Sequence, residues 1–214
     1  MNVSVIDNTY AKILLTDVRD NKTEKEELRN RLLELGRVTA QEIIADNLVT
    51  TREVTTPMGQ QYSGFEIPRT TTVIISTRDD YEYFAEGISS AFSYSHKGFM
   101  DFNGERGQQA LQGKRRAIEY PNLKKGEVVD TLVIAKSVLA TGCTAISLTK
   151  TAVVKYHPKK IIIASLFYSE QGIQELLYDI PNLDKIYIHG SPDTLNNDGM
   201  LVPGVGDLDA RLAD

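Results

Sequence analysis

Two short segments of the chain carry residue types that suit binding of an anionic group and of a flat molecule. The first, residues 138–144 (VLATGCT), joins an apolar run to a helix-like run. Gly142 permits a tight turn, and the free N–H groups and positive end of the following helix attract a phosphate. Thr141 and Thr144 could add hydroxyl donors. An ordinary strand–helix turn with a threonine cap has the same pattern, so the loop alone leaves both interpretations open.

The second segment lies near the end of the chain, at residues 202–207 (VPGVGD). Its proline and two glycines predict a rigid turn. Such a turn could present backbone N–H and C=O groups to a flat ligand.

The composition narrows the classes of protein to consider. The chain has 214 residues, a formal net charge of -5 and one cysteine, so it suits one domain and cannot form an internal disulfide. The negative charge argues against nucleic acid as a main partner, although it allows a local basic pocket. No apolar run reaches membrane-spanning length, and the N-terminus lacks a signal pattern. We expect a soluble, cytoplasmic protein with no nucleic-acid or membrane partner.

Hydrophobic periodicity predicts strands that alternate with helices. The predicted strands cover residues 72–76, 131–135, 161–166 and 185–188, and the predicted helices cover 23–46, 80–92, 144–156 and 170–178. A capping box at Thr23–Glu26 is expected to begin the first helix. The pattern predicts an α/β fold with a central parallel sheet flanked by helices. Ligands bind such sheets at the carboxyl ends of the strands, which is where the 138–144 loop falls.

Residues 103–126 have little apolar periodicity and contain several glycines, glutamines and basic residues. We expect a mobile hairpin or hood over one face of the sheet. Its Lys114-Arg115-Arg116 cluster could close over a bound pyrophosphate, although a solvated run of charge fits equally well.

The two segments resemble the signatures of the uracil phosphoribosyltransferase family, which has the type I phosphoribosyltransferase fold. The family's first signature reads Asp-Pro-Met-Leu-Ala-Thr-Gly-Gly-Ser, and residues 136–144 here read Lys-Ser-Val-Leu-Ala-Thr-Gly-Cys-Thr. Residues 199–211 resemble its Gly-Tyr-Ile-x-Pro-Gly-Leu-Gly-Asp-Ala-Gly-Asp-Arg. Residues 18–23, the Thr56-Pro57 turn and residues 117–120 (AIEY) extend the likeness over nearly the whole chain. It implies one domain over 1–214, with 103–126 as a flexible excursion and 190–214 as a base-binding tail.

The resemblance also implies a reaction. The family transfers ribose 5-phosphate from 5-phosphoribosyl-1-pyrophosphate to N1 of uracil, with Mg²⁺ present, and releases pyrophosphate. We therefore expect a pyrimidine-salvage enzyme that makes UMP from uracil, or a nucleotide from a related base, and that forms a homodimer or larger homo-oligomer. The likeness assigns the 5-phosphate to Ala140, Thr141, Gly142, Cys143 and Thr144, the pyrophosphate to Arg78, and the base to Met200, Leu201, Gly206 and Asp207.

This chemistry relies on positioning and electrostatics, and it needs no obvious general base. The three histidines, His96, His157 and His189, have no recognisable ligand or triad spacing and are expected to be packing or surface residues. No protein metal ligands are assigned.

Lys136 is the main departure from the family pattern. It stands where the family has an aspartate that holds the ribose hydroxyls, and an ammonium can donate hydrogen bonds but cannot accept them. The local charge changes by two units, each worth roughly 3 kcal/mol at about 5 Å and an effective dielectric near 20. That is enough to weaken Mg²⁺ binding or reorganise the donor site. Lys136 is therefore a candidate catalytic residue with Arg78, or it binds a phosphate directly.

Further departures lie around the same site. The family's Arg-Ala-Gly is Arg78-Asp79-Asp80 here, and the two acids either hold Mg²⁺ or begin a helix. Its Tyr-Arg-Asp is Phe99-Met100-Asp101, with Arg106 as an unaligned substitute. Met200 replaces a tyrosine beside the base. Cys143 replaces a glycine, either as a small packing residue or as a reactive thiol.

These departures keep a second hypothesis open. The chain could be a catalytically impaired homologue that binds a nucleotide as a regulatory or binding protein.

Overall fold

The computed structural model describes residues 2–102, 107–112 and 117–213. The helices are α1 (Thr9–Arg19), α2 (Lys25–Asn47), α3 (Phe84–Ser90), α4 (Gln108–Gln112), α5 (Cys143–Tyr156), α6 (Glu170–Asp179) and α7 (Leu208–Leu212). The strands are β1 (Val3–Ile6), β2 (Thr50–Thr55), β3 (Gln61–Glu66), β4 (Thr72–Thr77), β5 (Ser95–Asp101), β6 (Ala117–Glu119), β7 (Thr131–Ala135), β8 (Val138–Leu139), β9 (Lys160–Ala164), β10 (Phe167–Tyr168), β11 (Lys185–His189), β12 (Thr194–Leu195) and β13 (Leu201–Val202).

The main sheet has seven strands in the order β1-β11-β9-β7-β4-β5-β6. Each pair of neighbours is parallel except β5 and β6. The central strands β4 and β7 are buried along their whole length, because helices cover both faces of the sheet. Helices α1, α2, α3 and α7 contribute to the core on one face, and α4, α5 and α6 contribute to the core on the other. The predicted α/β class with a parallel sheet is confirmed.

The pairing of β4 with β7 determines where the site residues meet. Ser76 of β4 is opposite Ala135 of β7, so the two strands end side by side. The loop after β4 therefore lies beside the loop after β7. The ends of the predicted strands and helices agree with the structure to within two residues, with one exception. Helix α3 begins at Phe84, four residues later than predicted, and residues 80–83 form a turn.

Several elements have weak sequence signals and were not predicted. Strand β5 contains Ser95, Lys97 and Gly98 but is buried at its centre. The β2–β3 pair forms a separate antiparallel hairpin that is mostly exposed. Strand β1 and helix α1 were also missed.

The predicted capping box is wrong, because Glu24 caps α2 without a side-chain hydrogen bond and the Thr23 hydroxyl donates to the Asp17 carbonyl instead. Within residues 103–126, the described parts include α4 and β6, and β6 runs antiparallel to β5. Arg106 and the Lys114-Arg115-Arg116 cluster lie outside the described residues. The assignment of 103–126 as a flexible excursion and of 190–214 as a base-binding tail stays a prediction.

Over the described ranges, no helix is both long and apolar enough to cross a membrane.

The fold contains a buried histidine whose protonation should control acid stability. His189 ends β11 with 2% of its surface exposed, and its Nε2 lies 2.9 Å from the Thr39 hydroxyl. Burial lowers the pKa of His189 to about 4. The unfolded chain takes up this proton near pH 6.5, whereas the folded protein does so only near pH 4. Stability from this group is therefore complete above pH 6.5 and is lost as the pH falls towards 4.

We predict that this histidine contributes about 3 kcal/mol to the difference in unfolding free energy between pH 7 and pH 4. Urea unfolding of His189→Gln should show a correspondingly smaller loss of stability on acidification than the wild type. His157→Gln, which changes an exposed histidine, is the control and should behave like wild type. Equal pH dependence in His189→Gln and wild type would contradict the prediction.

Candidate active site

A cavity of about 480 Å³ opens at the carboxyl edge of the sheet. Its wall contains Thr77 and Asp79 from the end of β4, residues 136–145 from the loop after β7, and residues 198–201 and 205–210 from the tail. Asp101, Phe102 and Gly107 complete the lining. The cavity thus brings together Lys136, all of residues 140–144 (here called the glycine–threonine loop), and the tail residues Met200, Leu201, Gly206 and Asp207. Arg78 is not among these lining residues.

The loop before α5 has the geometry of an anion site. Gly142 caps the helix in the left-handed region, with φ of 78°, and a side chain there would place Cβ 2.9 Å from the Gly172 carbonyl oxygen. The first backbone hydrogen bond of the helix runs from Ile146 N–H to the Gly142 carbonyl at 2.9 Å. The N–H groups of residues 143–145 therefore precede the helical ladder, at its positive end. This arrangement favours the phosphate-binding interpretation over a plain turn.

Residues at the start of α6 hold this loop in place, and the sequence analysis missed them. Strand β8 pairs in parallel with β10, with Leu139 opposite Tyr168. The Ser169 hydroxyl donates to the Ala140 carbonyl at 2.5 Å, and the Ser169 N–H donates to the Leu139 carbonyl at 3.1 Å. A Cβ on Gly172 would lie 2.4 Å from the Ala140 oxygen. A serine before Glu170 at a predicted helix start was the available signal.

The tail turn is tight at Gly204 and open at Gly206. A side chain on Gly204 would place Cβ 2.1 Å from the Leu201 carbonyl oxygen, and the φ of Gly204 is +60°. Gly206 has a φ of +68°, and among the described residues a Cβ there would meet no atom within 4 Å. The Asp207 carboxylate accepts from the Ala210 N–H at 3.2 Å and caps α7. The open backbone around Gly206 is thus presented to the cavity.

Two arginines anchor the tail, Arg19 near the start of the chain and Arg211 in α7. Arg19 forms a bidentate ion pair with Asp193, at 2.9 and 3.0 Å, and donates to the Gly204 carbonyl at 2.8 Å. Arg211 donates to the carbonyls of Val18 and Val205 at 2.7 and 3.0 Å. Residues 18–23, which resemble the family's opening, therefore serve to hold the tail turn.

Lys136 is paired with a buried acid. Its Nζ donates to Asp80 Oδ2 at 2.7 Å, with 14% of the lysine side chain and 5% of the aspartate side chain exposed. Burial alone would lower the pKa of Lys136, but the charges of Asp80, Asp209 and Asp79 outweigh burial and raise it. The ammonium therefore stays charged at neutral pH. Asp80 is neither a plain helix-capping acid nor a free metal ligand.

Asp79 is the acid of this loop that faces the cavity. Partial desolvation and the nearby Asp209 carboxylate raise the pKa of Asp79, while Lys136 opposes that shift. Arg78 turns the other way: its guanidinium lies 4.8 Å from the centre of the Phe99 ring and 3.8 Å from Glu82. Its expected contact with pyrophosphate stays a prediction.

The remaining candidate groups are Cys143 and the three histidines. Cys143 lines the cavity, with its Sγ 4.0 Å from the Thr141 carbonyl oxygen. His96 lies 3.5 Å from Glu127, His157 caps the end of α5, and His189 is in the core. In the part of the chain that the structure describes, no group of three or more His, Cys, Asp or Glu side chains could hold a metal ion.

Comparisons with known proteins agree with the fold. The family model described as uracil phosphoribosyltransferase matches residues 5–212. Proteins named uracil phosphoribosyltransferase are 30% identical in Haloarcula marismortui, over 98% of this chain and 95% of the relative, and 28% identical in Metallosphaera sedula, over 99% of both. A solved structure from Aquifex aeolicus superposes with a TM-score of 0.76 at 23% identity, covering 98% of this chain and 97% of that one.

The contact between α6 and the glycine–threonine loop generates a prediction. Gly172→Ala should push the Ala140 carbonyl out of place, and overpacking of this kind costs about 1–3 kcal/mol, so affinity for ribose 5-phosphate should fall about tenfold or more. Isothermal titration calorimetry measures the affinity. Gln171→Ala, an exposed neighbour on the same helix, is the control and should bind as wild type does. Unchanged binding by a folded Gly172→Ala protein would show that the loop does not hold the phosphate.

Proposed function

The chain belongs to the uracil phosphoribosyltransferase family and transfers ribose 5-phosphate from 5-phosphoribosyl-1-pyrophosphate to uracil, and we propose that the cavity described above is its active site. UMP and pyrophosphate are the products. The observation that carries the proposal is the meeting of two segments in one cavity: the helix N-terminus at residues 140–144 and the open turn at residues 200–207. One suits the 5-phosphate and the other suits the base.

The phosphate end is formed by backbone groups. The N–H groups of residues 143–145 and the hydroxyls of Thr141 and Thr144 would donate to the 5-phosphate oxygens. Because the backbone donors belong to a helix of 14 residues whose N-cap is Gly142, they need no rearrangement when the ligand binds.

The base end also uses the backbone. Uracil presents alternating N–H donors and C=O acceptors along one edge, and a rigid turn can match that pattern. Leu201, Gly206 and Asp207 line the cavity at this point, and the Asp207 side chain is engaged in capping α7. A base with the wrong pattern would leave buried polar groups unpaired, which gives strong discrimination.

The transferred carbon passes through an oxocarbenium-like state, so the site works by alignment and charge. With the phosphate and the base held in the same cavity, N1 of uracil is aligned with the anomeric carbon. The N1–C bond forms as the bond to pyrophosphate breaks, and the N1 proton passes to solvent. Asp79 supplies the carboxylate that can accept hydrogen bonds from the ribose hydroxyls, a role that the paired Lys136 cannot fill.

We propose Mg²⁺ as the cofactor, bound together with the donor. Mg²⁺ typically takes one or two protein carboxylates and completes its shell with substrate phosphates and water. The cavity carboxylates Asp79 and Asp209 fit that requirement, and a protein cage of three or more ligands is not needed. When bound, the ion supplies positive charge to the departing pyrophosphate.

We also propose a cytoplasmic location and a homodimer or larger homo-oligomer. The exposed hairpin β2–β3 carries Tyr62 and Phe65, which are 60% and 78% exposed and suit contact with a second copy. The alternative hypothesis, an impaired nucleotide-binding homologue, rested on Lys136, Asp79, Asp80 and Met100 together. The ion pair of Lys136 with Asp80 gives two of these departures a structural role.

The direct test is an assay with protein, uracil, 5-phosphoribosyl-1-pyrophosphate and Mg²⁺, in which UMP is quantified against a control without protein. We expect UMP formation that is abolished by EDTA and restored by added Mg²⁺. Folded protein that binds UMP but forms none from the substrates would overturn the proposal in favour of the nucleotide-binding alternative.

A change in the tail turn should affect the base selectively. Gly206→Ala places a side chain at a φ of +68°, which strains the turn. We predict that the KM for uracil rises about tenfold, as expected for a cost near 1.4 kcal/mol, while the KM for the donor changes much less. Gly190→Ala is matched, with a φ of +61°, open space around Cβ, and a place outside the cavity lining. Equal increases in both KM values for Gly206→Ala would contradict the assignment.

A further inference from the structure

We propose that Asp80 is a positioning residue of the donor site, and that its buried ion pair with Lys136 fixes the loops after β4 and β7 against each other. The inference rests on the proposed function, because it gives the pair a role in binding 5-phosphoribosyl-1-pyrophosphate. In this inference Lys136 is a fixed part of the cavity wall, and its ammonium balances the charge of the Asp80 carboxylate.

The Asp80 carboxylate joins the two loops through a single oxygen. Oδ2 accepts from Lys136 Nζ at 2.7 Å, from the Thr77 hydroxyl at 3.0 Å and from the Ser137 N–H at 3.2 Å. Thr77, Lys136 and Ser137 all line the cavity, whereas Asp80 lies behind them and does not. Asp80 therefore contacts three wall residues without facing the ligand.

The same connection continues to the phosphate end. The Ser137 carbonyl accepts from the N–H groups of Leu166 and Phe167 at 3.0 and 2.9 Å. Phe167 begins β10, whose pairing with β8 places the Ala140–Thr144 loop. A shift of Ser137 would thus be transmitted both to the β4 loop and to the phosphate loop.

The charges around Lys136 explain why it does not serve as a free phosphate ligand. Its ammonium is attracted by Asp80, Asp209 and Asp79, and it donates a hydrogen bond to the Asp80 carboxylate. Withdrawing Lys136 to bind a phosphate would leave the Asp80 carboxylate, 5% exposed, without its counter-charge. Removing one partner of a buried pair is strongly unfavourable.

It follows that Lys136 and Asp80 depend on each other. Restoring only the family's aspartate, as Lys136→Asp, would place a second carboxylate against Asp80. Such a variant should bind the donor less well than wild type, contrary to the simple expectation that an acid at this position improves donor binding.

A double-mutant cycle with Asp80→Asn, Lys136→Met and the combined variant tests the inference. Donor affinity is measured by calorimetry with 5-phosphoribosyl-1-pyrophosphate and Mg²⁺, and KM and kcat are measured for both substrates. We expect each single change to weaken donor binding about tenfold or more, with the uracil KM much less affected. The double variant, which has no unpaired charge, should recover most of the lost donor affinity.

An exposed pair of the same residue types provides the matched control. Lys150 Nζ lies 2.6 Å from Asp179 Oδ1 and links α5 to α6 away from the cavity, with side chains 54% and 33% exposed. Lys150→Met and Asp179→Asn should leave donor affinity unchanged, singly and together.

The results distinguish failure of this inference from failure of the proposed function. The ion-pair role alone is overturned if the wild-type protein forms UMP and the losses of donor affinity in the two single variants multiply in the double variant. The ion-pair role in donor binding is also overturned if the variants have lowered thermal stability but wild-type donor affinity, because the pair then contributes to stability alone. Should Lys136→Met not fold, Lys136→Arg, which keeps the charge, must retain more donor affinity than Asp80→Asn. Wild-type protein that binds the donor but makes no UMP overturns the proposed function, while the cycle in donor affinity still tests the pair.

Discussion

A lysine ammonium at the floor of a cavity needs a counter-charge, and here the ion pair of Lys136 with Asp80 meets that need. The pair is possible because β4 and β7 are parallel neighbours that end side by side. Through Thr77 and Ser137, the same carboxylate links the two loops that those strands begin. The cavity wall therefore depends on the ion pair with Asp80, which lies behind it. Lys136, which departs from the family's sequence pattern, is thus part of the support of the wall.

Residues outside the cavity lining also hold the glycine–threonine loop and the tail turn in place. Ser169 donates hydrogen bonds to the Leu139 and Ala140 carbonyls, and Gly172 leaves room for them, so that Gly142 can turn the chain into α5. Arg19 and Arg211 tie the tail turn to the start of the chain. The residues that line the cavity include Gly142 and Gly206, several apolar side chains and the carboxylates of Asp79 and Asp209. Such a surface suits a reaction in which alignment and fixed charge do most of the catalysis.

The sequence allowed the parallel sheet, the glycine–threonine loop and the tail turn to be predicted, because each has a strong local signal. Strand β5 was missed since its glycine, lysine and serine mask a partly buried strand, and the capping box failed because the Thr23 hydroxyl donates to the Asp17 carbonyl. Asp80 and Lys136 were both noticed in the sequence, but their pairing could not be predicted. Their contact joins residues 56 positions apart, and only the pairing of the strands brings them together. Gly172 carried no sequence signal of its contact with Ala140.

A crystal structure of the protein with UMP bound would test the central claim most directly. The account predicts that the 5-phosphate lies on the N–H groups at the start of α5, that the base contacts the backbone near Gly206, and that Lys136 Nζ remains at hydrogen-bond distance from Asp80. A complex in which Lys136 has left Asp80 to contact the phosphate would contradict it, because the ammonium would then be a ligand-binding group and no longer a fixed part of the wall.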